Sequence, residues 1–494
     1  MSNEMLMTRN VCAVPRDRIP KHDMASFQRI AGRALKAGLR VVSWFGHDAG
    51  SDGGTELTMV LADDADSQLG ILSTRPEGAT FPSMTPEHSQ LHLFEREIAE
   101  QFGLTPAGHP WLKPVRYPDG SVPAGTGDFY RVEGDDIHEV AVGPVHAGII
   151  EPGHFRFQCA GEDVISLEIA LGYQHRGIER ALLGGPHRAT LIQVEAIAGD
   201  ASIAHTTAYA TLLESLAGTE APLRAQWLRA VALELERLAN HTGDIGALAN
   251  DVAFLPTSAA CGKIRGDFLN LTAMLCGNRF GRSLVVPGGC RRDVDDATLT
   301  SMAERLRKAL ADTAEAVAWF WAASSVRGRF ERTGIVSTAQ ASDIGMVGPA
   351  ARASGLVRDV RFDHPAGWHR FAQLPVAVWP DGDVFGRARV RSLDLQRSGA
   401  YLEDQLQSPV DSELRTELSA LRPERLAVSL VESWRGEVCH VALTDHQGRF
   451  AAYKITDASF HNWFGLALAM RGTAISDFPI CNKSFSLSYC GADL

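Results

Sequence analysis

The stretch PLRAQWLRAVALELERLANHTGDIGAL, residues 222–248, decides the fold class. Leu228, Val231, Leu235 and Leu238 recur at three- and four-residue intervals, the spacing of one face of a helix packed in a bundle. Pro222 stands at the N-terminal turn, where a missing amide costs nothing. The pattern predicts a helix over 222–248 inside a helical bundle. Its surroundings read as mostly helical, with β-like pieces at the entry to this part and over 354–394. Residues 425–494 read as short strands at 427–430, 438–444 and 450–454, followed by a helix near 462–470.

Upstream, Met24, Phe27, Ile30, Ala31 and Leu35 form the apolar face of a helix over 22–39, and strand-like segments follow at 40–44, 56–62 and 70–73. A second helix opens at Thr85-Pro86-Glu87, carries Leu91, Phe94, Ile98 and Phe102 on one face, and stops at Gly103. Prolines and glycines then crowd 106–127 and mark a connector. The expected organisation is an α+β domain over 1–120, a linker over 121–135, and a mainly α domain with small β elements over 136–494.

The chain has 494 residues, enough for about three structural units at ~150 each. With 45% hydrophobic and 22% charged residues it has the composition of an ordinary globular protein. Forty-eight Lys and Arg against fifty-nine Asp and Glu give a net charge of -11, which argues against nucleic acid as a partner. Apolar runs such as AVAWFWAA at 316–323 fall far short of the roughly 20 residues that span a bilayer. The first 23 residues carry charges where a secretory signal needs an apolar segment, so the cytoplasm is the expected compartment. Eight scattered cysteines with no C-x-x-C fit reduced thiols. The Gly184-Gly185 and Gly288-Gly289 pairs lack the G-x-G-x-x-G order of a dinucleotide site.

Several motifs stand out. Glu95-Arg96-Glu97, Phe102-Gly103 and Gly108-His109-Pro110 with Leu112 form a charged helix end and a rigid turn, whose plainer reading is a solvated helix face. Clusters of His, Arg and Glu lie at 143–148 (GPVHAG), 151–157 (EPGHFRF) and 172–179 (GYQHRGIE). Further segments are VALELERLANH at 231–241, GNRFGR at 277–282, GPAARASG at 348–355, ESWRGE at 432–437 and FHNW at 460–463. The first motif resembles the 30 kDa subunit of respiratory complex I. The others resemble the 49 kDa subunit of complex I and, more closely, the large subunits of energy-converting [NiFe]-hydrogenases of the formate hydrogenlyase and hydrogenase-4 type. The resemblance implies a docking module fused to a hydrogenase-large-subunit-like helical bundle.

In that hydrogenase family, four thiolates from R-x-C-G-x-C and D-P-C-x-x-C hold a nickel–iron centre, and soft thiolates are what such a site needs. The first motif corresponds here to AIAGDASIAH at 196–205, with Ala196, Ala198 and Ala201 in place of Arg and both Cys. The second is matched to DFPICNKS at 477–484, retaining Cys481 and replacing its partner by Ser484. The expectation is that this chain binds no nickel and holds no metal of its own. A site built from Cys481, Cys490, His440 and His461 lacks paired ligand spacing.

By the same resemblance, Glu151 matches a proton-relay acid with Pro152 inserted, Arg435 an arginine above the metal ligands, and Glu179 an acid behind the metal; His205 closes the first motif. Together Glu151, Arg435 and His205 are the candidate catalytic residues. His146 or His154 would match the histidine that meets a quinone headgroup in complex I, so His146, His154 and Glu179 are the candidate cofactor-binding residues. No tyrosine occupies the position that such a quinone site also uses. The plainer reading of these charged residues is buried ion pairing.

Three functions follow from the resemblance. The first is an oxidoreductase subunit at the cytoplasmic face of the membrane. It would take electrons from an iron–sulfur cluster in a small partner subunit, deliver them to a quinone-like acceptor, and sit beside membrane subunits. The second is a non-catalytic pseudoenzyme that holds such a complex together. An active hydrogenase stands third.

Overall fold

The computed structural model describes residues 4–50, 53–118, 120, 122–148, 150–372 and 374–494. The first three residues of the charged N-terminal stretch, and position 121 at the start of the expected linker, lie outside these.

The N-terminal part is an α+β unit. Strands Arg40–Asp48, Thr55–Asp63 and Gln68–Thr74 form an antiparallel meander, extended at its far edge by Leu6–Thr8 and by Lys21–His22, which runs parallel to Gln68–Thr74. Helix Met24–Lys36 starts where the Asp23 carboxylate accepts the Ser26 amide at 2.8 Å. It packs Phe27 and Ile30 against Trp44, Leu57 and Met59 on one sheet face. Helix His92–Phe102 adds Phe94 and Ile98 and ends at Gly103, whose φ of 64° supplies the left-handed cap.

The other face of this sheet packs on a second sheet. Val42, Phe45, Val60 and Ile71 meet Leu426, Val428, Val441 and Leu443 in one apolar layer. The second sheet has strands Arg425–Ser433, Gly436–Thr444 and Phe450–Thr456, and its fourth strand is Val14–Pro15 from the N-terminal arm, paired with Arg425–Leu426. The N-terminal arm thus contributes an edge strand to this second sheet. A buried ion pair joins the two sheets, the Arg40 guanidinium donating to both Glu437 oxygens at 2.8 and 2.6 Å while also binding Asp64.

Beyond the irregular connector, a three-stranded antiparallel sheet (Ile137–Val142, His154–Ala160, Asp163–Ala170) leads into the helical body. Helix Leu223–Asp251 is its axis, with Trp227, Leu228, Val231, Leu235 and Leu238 fully enclosed. Helices Ser202–Ala217, Leu255–Cys276, Asp296–Ala322 and Val384–Gln407 surround it. No helix among the described residues is long and apolar enough to cross a membrane.

The β-like reading of 354–394 is corrected by the structure, which has a helical turn at Val360–Asp363 and the first part of helix Val384–Gln407 there. Arg387, Arg391 and Asp394 face inward on that helix, so its buried stripe is not apolar and its period does not show as hydrophobicity.

Replacing Arg40 by Met should strand Glu437 and Asp64 as partly or fully buried charges. We expect a loss of about 3–5 kcal/mol, measured as a lowered thermal midpoint, with the tertiary signal of the N-terminal sheet lost first.

Candidate functional site

The site forms where three distant segments meet. The first motif, 196–205, is a turn leading into helix Ser202–Ala217. The second segment is the C-terminal run from Ser486, and the third is the turn between the strands Arg425–Ser433 and Gly436–Thr444, which carries Trp434 and Arg435.

The expected match of the second motif to 477–484 is not what the structure brings to the site. Helix Phe478–Phe485 buries Cys481 and Ser484 against helix Val384–Gln407, where Arg387 Nε donates to Ser484 Oγ at 2.7 Å. Ser486, at φ 53°, then turns the chain. Cys490, not Cys481, packs with Ala198, Ala201 and Trp434. Ser488 Oγ lies 3.4 Å from Cys490 Sγ.

Arg435 is the electrostatic centre of this place. Its terminal nitrogens donate to both Asp200 oxygens at 2.6 and 2.8 Å, its Nε to the Ser486 carbonyl at 2.6 Å, and its guanidinium lies 3.9 Å from the Trp434 ring centroid. Burial pulls the Arg435 pKa down, but Asp200 outweighs it and the guanidinium stays charged. Glu151 approaches from the hairpin between the first two strands of the small sheet and accepts the amides of Tyr489 and Cys490, each at 3.3 Å. Burial, with Glu151 beside it, pushes the Cys490 thiol up to about 12.

His205 sits behind this pocket in a buried chain of hydrogen bonds. Its Nε2 is 3.2 Å from Asp457 Oδ2, its Nδ1 is 3.1 Å from His440 Nε2, and His440 Nδ1 is 2.8 Å from the Tyr453 hydroxyl. Burial pushes the Asp457 carboxyl up, but the hydrogen bond with His205, with the electrostatic pull of its neighbours, outweighs it and holds it at about 2. Burial, then His205, drives the His440 pKa well down, so that ring is neutral.

The other expected residues stand apart. Glu179 belongs to an ion cluster with Lys454 and Arg116, accepting from Lys454 Nζ at 3.1 Å and from Arg116 at 3.2 Å, and it also accepts the Ile455 amide. His146 Nε2 is 2.9 Å from the Gly153 carbonyl and His154 Nδ1 is 3.1 Å from that of Gly143, so both rings brace the hairpin that carries Glu151.

Sequence reasoning passed over Asp200, Arg176 and Asp493 as site residues. Arg176 stitches the two motif segments, donating to the carbonyls of Ala196, Ile197 and Cys490. The Asp493 carboxylate accepts the amides of Gly172 and Gln174 at 2.8 and 2.9 Å. Arg176 lies within the quoted 172–179 cluster, and that cluster was the available signal. Glu236 was missed as well: its Oε2 accepts the Ile203 amide at 2.8 Å, its other oxygen has no partner, and it lines a small cavity with Asp200, Asn240 and Arg279.

At this place Ala198, Ala201, Ser488 and Cys490 present two methyl groups, one hydroxyl and one thiol. No group of three or more His, Cys, Asp or Glu among the described residues is arranged to hold a metal ion.

Known proteins carry the same organisation. Residues 28–125 match the family model of the 30 kDa subunit of respiratory-chain NADH dehydrogenase, and residues 251–421 match that of its 49 kDa subunit. The chain is a fusion of these two complex I-like domains. Its homologues include Hydrogenase-4 component G of Escherichia coli K12, 28% identical over 436 residues, covering 84% of this chain and 76% of the relative. Formate hydrogenlyase subunit 5 of the same organism is 29% identical over 453 residues, covering 86% and 78%. The fold matches a chain in the structure of the membrane-bound sulfane sulfur reductase, an archaeal respiratory membrane complex, with a TM-score of 0.67 and 22% identity, over 74% of this chain and 100% of that one.

Burial pushes the Glu236 carboxyl up from 4.5 to about 8 against the hydrogen bond from the Ile203 amide. Between those values the folded chain keeps a proton that the unfolded chain has released, so this group's contribution to stability is complete below about 4.5 and is lost as pH rises through about 8. The expected slope is up to about 1.4 kcal/mol per pH unit. Glu236→Gln should flatten the decline of the thermal midpoint across that window, and an unchanged pH profile would refute the assignment.

Proposed function

We propose that this chain is the large subunit of a membrane-associated oxidoreductase complex of the complex I and formate hydrogenlyase kind. It carries no nickel–iron centre. It takes electrons from an iron–sulfur cluster in a small partner subunit and delivers them to a quinone-like acceptor, attached peripherally at the cytoplasmic face beside membrane subunits. The relatives support the general setting: one is named as a hydrogenase component and another as a formate hydrogenlyase subunit.

The observation that carries the reading is a polar frame around a wall that keeps a single thiol, Cys490. Ala198 and Ala201 face Trp434 and Cys490, while Arg435, Asp200 and Glu151 keep their positions at the rim. Arg435 offers a fixed positive charge where an acceptor gains electrons, and its field favours a reduced, anionic acceptor. Glu151 is the acid at the pocket edge, and the Asp457–His205–His440–Tyr453 chain is a protonatable network behind it. His146 and His154 set the hairpin that brings Glu151 to the pocket.

A pseudoenzyme reading is favoured by one specific observation. Asp200 engages both terminal nitrogens of Arg435, and Trp434 packs into the space beside Ala198 and Ala201, so the charges and the wall already satisfy one another.

The experiment is purification of the complex from native membranes, metal analysis and electron paramagnetic resonance, repeated with Glu151→Gln and Arg435→Lys. We expect iron–sulfur signals without stoichiometric nickel, a nearest cluster perturbed by quinone analogues, and at least a tenfold fall in quinone reduction in each variant while the complex still assembles. Activity that survives both changes, or clusters indifferent to quinone, would select the scaffold. Stoichiometric nickel with hydrogen-dependent dye reduction would establish a hydrogenase instead.

A further inference from the structure

The four buried groups behind the Arg435 pocket form one unbranched chain, and three separate elements build it. Ala442 pairs with Tyr453 across neighbouring antiparallel strands, so His440, two residues along, lies on the same sheet face as Tyr453. Helix Ser202–Ala217 packs on that face and brings His205 to His440. Asp457 follows the strand Phe450–Thr456 and caps helix Ala458–Met470, its Oδ1 accepting the Ser459 amide at 2.7 Å and its Oδ2 left for His205.

Asp457 also touches the pocket. Gly491, the residue after Cys490, lies inside helix Tyr489–Asp493, where the backbone conformation asks for no glycine. A Cβ there would stand 2.9 Å from Asp457 Cγ and 3.0 Å from its Oδ2, so the missing side chain is what lets the carboxylate lie against the segment that carries Cys490. Burial pushes this carboxyl up, and the His205 hydrogen bond and the Arg435 charge pull it down by more, so it is ionised at neutral pH.

Only one placement of hydrogens satisfies the chain with both rings neutral. The ionised Asp457 requires a hydrogen on His205 Nε2, which leaves His205 Nδ1 as an acceptor for His440 Nε2. His440 Nδ1 then accepts from the Tyr453 hydroxyl, which has no other hydrogen-bond partner among the described residues. Every hydrogen points toward Asp457. A proton added to His205 sits on Nδ1 and reverses the rest: His440 Nε2 becomes the acceptor, its Nδ1 the donor, and the Tyr453 oxygen accepts. A second proton finds no place, because burial, with His205 beside it, holds the His440 pKa well down. The remaining groups that bear on His205 are Glu236, at the N-terminus of its own helix, and Tyr209, which neighbours Tyr453.

We infer that this chain takes up one proton in answer to negative charge arriving at Arg435, with His205 holding it and Asp457 standing between it and the pocket. The role rests on the redox reading of that pocket. An electron from the partner's iron–sulfur cluster leaves a quinone-like acceptor anionic. Each hydrogen of the chain then moves one bond toward Asp457, the Tyr453 oxygen takes a proton from water, and the His205 cation offsets the new charge. Passage of the His205 Nε2 hydrogen through Asp457 to the acceptor oxygen breaks an N–H bond, forms an O–H bond and returns His205 to neutrality. One electron and one proton are consumed together.

The test is nitrogen-15 NMR of the full chain labelled in histidine, followed from about pH 9 to about pH 5 around the ordinary histidine range. In the wild type, His205 should gain its Nδ1 hydrogen at the same pH at which His440 moves its own from Nε2 to Nδ1. Arg435→Gln removes a positive charge, as an arriving anion would offset one, and should raise that pH by about one unit. Asp200→Asn leaves Arg435 less neutralised and should lower it, a reversal of sign that a merely structural disturbance does not produce. The Asp200 side chain is 35% exposed, so its variant keeps the fold even if Arg435→Gln does not. No exchange in this range, a His205 titration without the His440 shift, or an exchange that neither charge change moves would overturn the proposal. In the purified complex, Asp457→Asn, which keeps the helix cap, should lower the turnover of quinone reduction about tenfold or more with KM unchanged, and undiminished turnover would overturn the transfer through Asp457. A wild-type complex that reduces no quinone would sink the redox reading, while the spectra still decide whether the chain answers charge at Arg435.

Discussion

Charge buried along the axis of the helical body is the constraint on which the structure depends. Helix Leu223–Asp251 carries Glu234, Arg237, His241 and Asp244 into an interior where an unpaired ion would be prohibitive. Each is answered from another element. Arg361 binds both Glu234 and Asp359, Arg352 bridges Asp359 and Asp394, Asp394 lies 3.4 Å from His241, and Arg391 and Lys483 hold Asp244. Apolar packing alone would tolerate a one-turn slip of helix Val384–Gln407, but such a slip would strand several charges at once. The lattice thus sets the register of the bundle, and Ser486, which donates to Asp244, passes that register on to the segment bearing Cys490.

The same lattice explains which parts of the fold are legible from residues alone. Helix Leu223–Asp251 and the three long strands of each sheet announce themselves because apolar side chains dominate their buried faces, while the short strands Leu6–Thr8, Val14–Pro15 and Lys21–His22 do not. Helix Val384–Gln407 does not, because its buried face carries Arg387, Arg391 and Asp394 and reads as polar. The Asp200–Arg435 pair spans 235 positions, and no local pattern reveals it. The match of the second motif to 477–484 followed a local likeness around Cys481, but the positive φ at Ser486 is what turns the chain and decides which residues reach Ala198 and Ala201.

Around Arg435, charged and polar side chains meet a wall formed by Ala198, Ala201, Trp434 and Cys490. A guanidinium answered by one carboxylate and one carbonyl is a stable resting arrangement, and it is also a pair that an incoming anion could divide. Glu151 reaches that place by accepting two backbone amides, which ties the hairpin to the C-terminal segment.

The N-terminal arm bears on how the chain is made. Asn10 binds the Leu430 carbonyl 420 positions later in the sequence, and Val14–Pro15 completes a sheet whose neighbouring strand starts at Arg425. During synthesis the arm stays unpaired, and the face of the first sheet waits for its partner layer, until strands Arg425–Ser433, Gly436–Thr444 and Phe450–Thr456 have emerged. Such long-range closure slows folding and leaves edge strands open to wrong partners. The apolar face of the first sheet is therefore left open until that late layer covers it.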